Sequence, residues 1–204
     1  VIILFVISLL SPLAAMLLGW KQRYTLLWFY PATGLFIDIL STLLKIGGLN
    51  HQWPANIFAL SEFIFISLFY KKYIFEKNKS FRTLIFLIAL LFSIQTIFRS
   101  VLDFNTFGYS LLCIIYIFYG LYGFYKIVKE ARPISLTNSF FFWINAAVFL
   151  YATSVFILLL FRYFLQRNDP NLFNNLWTTF FFVINIQRYL LVGIGMNKSS
   201  KYES

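Results

Sequence analysis

The chain has 204 residues, of which 60% are hydrophobic and 12% charged, with a mean hydropathy of +0.77. Soluble domains carry about 25% charged residues, so this composition excludes a water-soluble globule and points to an integral membrane protein. The net charge of +10 lies in short clusters between apolar runs, which is not the continuous basic surface that nucleic-acid binding requires.

Apolar runs of about 20 residues, bounded by charged or turn-forming breaks, predict seven transmembrane helices. They fall near residues 1–20, 24–47, 54–72, 82–99, 106–127, 138–164 and 171–194. The fold class expected is therefore all-α and polytopic, with residues 1–204 forming a single transmembrane domain. The first run, VIILFVISLLSPLAAMLLGW, exceeds the roughly 7–15 apolar residues of a signal peptide and is expected to be a retained helix. Pro12 and Pro31 fall inside the first two runs, where neighbouring groups must satisfy the carbonyl each proline frees. The breaks KQR, GGLNHQWP, KKYIFEKNKSFR, RSVLDFNT, KEARPISLTN and RNDPN are short, so consecutive helices are expected to be antiparallel neighbours. All Lys and Arg except Lys45, Arg99, Arg162 and Arg167 fall in or beside the first, third and fifth breaks or at the C-terminal end. That bias predicts an outside N-terminus and a cytoplasmic C-terminus.

Polar side chains within these runs are the candidates for function. Asp38, Ser41, Thr42 and Lys45 share one helical face at i, i+3, i+4 and i+7. A charged carboxylate in a membrane costs about 2.5–3.5 kcal/mol on insertion scales, so Asp38 must be protonated, paired or hydrated. Glu62, in FALSEFIFISLF, poses the same problem one helix later. In a simple hairpin the two acids lie at similar depth, about 12 Å from the outer ends of their helices. A hydrated outer cavity between them, with the carboxyls sharing a proton, is one expectation. Separate packing roles for two neutral acids are the other.

The seventh run carries Asn171, Asn174, Asn175, Thr178, Asn185 and Arg188 as a polar stripe. In lipid such a stripe is expected to turn inward, toward partners such as Gln95, Asn145, Thr153 and Ser154. It serves interhelical packing or forms a pocket wall. The fifth run places Tyr109, Tyr116 and Tyr119 on one side, with Gly120 and Gly123 set for close helix approach. Cys113 reads as a buried thiol, and the single His51 in the outer turn reads as interfacial, without the ligand cluster that a metal site needs. No cofactor is implied, and no hydrolytic or nucleotide-binding motif occurs.

The segments NIFALSEFIFISLFY, FFFWINAAVFLYATSVFILLLFRYF and LWTTFFFVINIQRYLLVGIGM resemble the small seven-helix membrane modules that bacteria carry alone or ahead of histidine kinases. The resemblance implies a sensor of the bacterial inner membrane. Because the chain ends in NKSSKYES, its output is expected to pass to a separate cytoplasmic signalling protein. The expected function is thus a sensor or accessory subunit binding a small or amphiphilic ligand, or a proton, in an outward-facing pocket. Asp38, Ser41, Thr42, Glu62, Gln95, Asn174, Asn175 and Thr178 would line it, and membrane lipids are the other expected partners. The alternatives are a lipid-modifying membrane enzyme using Asp38 and Glu62 as acid and base, and a small channel or transporter.

Overall fold

A computed structural model describes residues 2–22, 25–50, 52–99, 102–129 and 138–199. Among these, seven α-helices follow in chain order: α1 Ile2–Leu18, α2 Leu26–Ile46, α3 Trp53–Tyr73, α4 Ser80–Arg99, α5 Thr106–Lys129, α6 Phe140–Asn168 and α7 Pro170–Ser199. A 3-10 turn, Trp20–Gln22, follows α1. Six helices are long and apolar enough to cross a membrane, and α1 is a shorter apolar helix. Large apolar side chains such as Phe36, Leu43, Phe86, Leu91, Phe98, Phe118 and Phe164 lie on the outside. Water would penalise each of these at about 25 cal/mol per Å² of apolar surface, and lipid does not. The chain is a multi-pass helical membrane protein. His51, Arg23, Arg132 and Lys201 lie outside the described residues.

The helix ends follow local chemistry. After α2, Gly48 adopts φ 68°, which a Cβ would strain. Its N–H returns to the Lys45 carbonyl and that of Leu49 to the Leu44 carbonyl, the two bonds of a Schellman cap. At α7, Asp169 accepts from the Leu172 N–H at 2.9 Å and Pro170 occupies the first helical position. An acceptor followed by a residue lacking its own N–H is the standard way to begin a helix.

The chain forms two compact units, Tyr24–Leu112 on one hand and Val1–Arg23 with Cys113–Ser204 on the other. In the first, α3 packs against both α2 and α4. Its buried side chains include Asn56, Ala59, Glu62, Phe63, Ile66, Ser67 and Tyr70, spaced to cover more than one face, as a helix with two neighbours requires. In the second, α7 packs against both α1 and α6. Cys113 is buried.

The start of α5 is fixed by a buried amide network within the first unit. Asn105 Oδ1 accepts from the Gly108 N–H at 2.9 Å, capping the helix. Its Nδ2 donates to Thr96 Oγ1 on α4 at 2.9 Å, and its backbone N–H donates to Asn56 Oδ1 on α3 at 3.0 Å. Asn56 Nδ2 in turn donates to the Asp103 carbonyl at 2.7 Å. Replacing Asn105 by Ala is expected to cost about 1–3 kcal/mol, since it removes a cap and strips Thr96 of its amide donor. Unfolding of the purified variant in micelles, set against wild type, measures this.

Candidate functional site

Glu62 is wholly buried on α3, 0% exposed. Its Oε1 accepts from the Tyr30 hydroxyl of α2 at 2.9 Å, and its Oε2 accepts from the Tyr109 hydroxyl of α5 at 3.1 Å. All three residues belong to the unit Tyr24–Leu112. Tyr30 and Tyr109 are themselves buried, at 3% and 4% exposure. One carboxyl group therefore ties three helices together through two phenols.

Each partner is held in place by its own surroundings. Tyr30 stacks on Phe58, one turn before Glu62 on α3, with ring centroids 6.5 Å apart. It precedes Pro31 within α2, and its carbonyl accepts from the Thr33 hydroxyl at 2.8 Å. Tyr109 packs edge-on against Phe104 at 5.4 Å. It lies one turn after the Asn105 cap, so the amide network that starts α5 also sets where its hydroxyl falls. In a medium without water the two O–H donors do what hydration does elsewhere: they place positive hydrogen ends against both carboxyl oxygens. A carboxyl so held can be charged or neutral, because each phenol can also accept.

The other expected site residues lie on α2, α4 and α7. Tyr30, an α2 residue whose hydroxyl bonds Glu62, lies eight residues and about 12 Å of helical rise from Asp38. A simple hairpin register would set Asp38 at the depth of Glu62, and it does not foresee this bond. Asp38 is half-buried. Its backbone carbonyl accepts from the Thr42 hydroxyl at 2.7 Å, so Thr42 is used within its own helix. Ser41 and Gln95 are half-buried.

The stripe on α7 divides along its length. Asn185 and Arg188 are buried, at 6% and 3% exposure; Thr178 is half-buried, and Asn171, Asn174 and Asn175 are exposed. The expectation that the whole stripe turns inward is corrected for these three amides. They stand in the first turns after the Asp169 cap, where amides at a helix end can be solvated without a protein partner. The Arg188 guanidinium lies 4.0 Å from the Tyr151 ring centroid and 4.5 Å from that of Tyr189, which holds the cation between two aromatic faces. Asn145 reaches α5, donating to the Gly120 carbonyl at 3.0 Å.

Tyr30 was not legible as a site residue, and Tyr109 was legible only as part of an aromatic side of α5. They lie 32 and 47 residues from Glu62 in sequence, and with 13 Tyr in the chain no local spacing selects these two. A buried acid in a membrane helix was itself the only signal, and it said that donors were needed without saying which.

Compared with protein-family models, with curated proteins and with solved structures, the chain matches none.

Proposed function

We propose that this protein is a sensor or accessory subunit of the bacterial inner membrane whose responsive group is Glu62. The observation that carries the reading is a fully buried carboxyl whose two oxygens accept from phenols on two other helices. An ionisable group inside a membrane segment is expensive to keep and marks function by default. Here a change of charge at one atom pair alters two interhelical bonds at once. A proton, or a small amphiphile whose polar end competes for the tyrosine hydroxyls, is the stimulus that fits this chemistry.

The response follows from the bonds themselves. Losing or gaining a charge on Glu62 changes the strength of charge-assisted bonds to Tyr30 and Tyr109, which loosens or tightens α2 and the start of α5 against α3. A change at Tyr109 moves the first turns of α5 within the unit Tyr24–Leu112. Lys126 and Lys129, in the last turn of α5, belong to the basic face offered to a cytoplasmic partner.

Substitution of Glu62 by Gln tests the reading, because Gln keeps the shape and cannot ionise. In nanodiscs, a spin-label distance between α2 and the start of α5 is expected to change with pH in wild type and in Asp38→Asn. It is expected to stay constant in Glu62→Gln. The same pH dependence in wild type and Glu62→Gln, with both proteins folded, overturns the proposal.

A further inference from the structure

The connection between α3 and α4 joins two helices that are each long and apolar enough to cross a membrane. Its sequence, KKYIFEKNKSFR, holds five cations and one acid, and the structure sorts the cations into two kinds. Lys71 is committed to the turn: its ammonium donates to the carbonyls of Phe75 and Glu76, both at 2.6 Å. The N–H groups of Ile74 and Phe75 both return to the Tyr70 carbonyl, and Phe75 stacks on Phe81 with centroids 4.3 Å apart. The turn is therefore built, pinned at one end by a lysine cap and at the other by an aromatic pair. Lys72, Lys77, Lys79 and Arg82 remain exposed on it, and the Lys72 ammonium stands 5.2 Å from the Tyr73 ring centroid.

We infer that this turn is a binding surface for anionic phospholipid headgroups, with Lys77, Lys79 and Arg82 as the phosphate-binding cations and Lys71 as a structural one. Two features favour a lipid over a soluble acidic protein. The turn leaves and re-enters apolar helices within a few residues, so it stands at the depth of the headgroups, which surround it at high local concentration. A basic side chain beside a tyrosine at a helix end is also the arrangement that anchors in the interface. Clusters of this size next to a spanning helix attract anionic lipid at about 1 kcal/mol per cation, which is about fivefold in affinity for each.

Titration of the full chain in a neutral detergent with short-chain phosphatidylglycerol and, separately, phosphatidylcholine measures the preference. Wild type is expected to bind the anionic lipid more tightly, with the preference shrinking as salt is raised. The Lys77→Gln/Lys79→Gln/Arg82→Gln variant is expected to lose at least fivefold of it. These side chains are exposed, so folding should be kept and is checked by circular dichroism. Lys71→Arg is expected to bind phosphatidylglycerol as wild type does. Equal binding of the two lipids by wild type, an unchanged preference in the triple variant, or inorganic phosphate competing as well as the lipid would each overturn the inference.

Discussion

Replacing Glu62 by Leu is expected to destabilise the unit Tyr24–Leu112 by about 2–4 kcal/mol, and Glu62→Gln by less than about 1 kcal/mol. The difference rests on the two phenols. Leu removes the acceptor from the Tyr30 and Tyr109 hydroxyls, and a buried donor stripped of its acceptor costs about 1–3 kcal/mol. The lower part of that range applies, because interhelical hydrogen bonds in lipid average about 0.6 kcal/mol when the unfolded reference also finds partners. Gln retains one carbonyl acceptor and supplies an amide donor, which the second hydroxyl can accept. Tyr30→Phe and Tyr109→Phe should each fall between these limits, at about 1 kcal/mol. The decisive measurement is a double-mutant cycle read by unfolding in micelles: each Tyr→Phe change should cost almost nothing once Glu62 is Leu. If the tyrosine substitutions cost the same in both backgrounds, the carboxyl is not what holds these hydroxyls.

The helices themselves were legible because their signal is local and repeated. Apolar runs near 54–72 and 106–127 became Trp53–Tyr73 and Thr106–Lys129, and DPN, in the break before the seventh run, became a cap and a first-turn proline. The first run, read as about 20 residues, became the 17-residue helix Ile2–Leu18, because the chain turns at Gly19 into the 3-10 turn Trp20–Gln22. What periodicity could not supply was register between helices. A hairpin drawn from the turn alone sets Asp38 at the depth of Glu62, but it does not say that Tyr30, two turns from Asp38 along α2, stacks on Phe58 and bonds Glu62. Nor does periodicity say where along a long helix a polar face changes from buried to exposed. On α7, some 21 Å of rise separates Asn171 from Asn185, and only the latter is buried. A stripe is a statement about angle, and burial also depends on depth.

Depth and angle coincide at Gly123, which makes Gly123→Ala the second substitution with a large expected effect. A Cβ at this position would fall on the Oδ1 of Asn145, with Cγ only 2.7 Å away. Asn145 is 0% exposed and donates to the Gly120 carbonyl at 3.0 Å, so it cannot retreat to solvent. One turn earlier, at Gly120, a Cβ would lie 2.7 Å from Phe149 Cβ, so α5 cannot move away from α6 without opening both contacts. The added methyl must therefore overpack the interface, at about 1–3 kcal/mol, or displace the amide and cost it its hydrogen bond, at about 1–3 kcal/mol for a buried group. A loss of about 1–3 kcal/mol is expected for Gly123→Ala, read as a lowered unfolding midpoint of the purified protein. The sequence pointed to close helix approach at these glycines, and the structure adds the reason that it matters here: the space a side chain would fill holds a polar group. Gly123→Ala combined with Asn145→Ala is expected to recover part of the loss, because the shortened side chain frees the space that the methyl needs. A double variant less stable than both singles would show that the amide, rather than the missing Cβ, sets the spacing of the two helices.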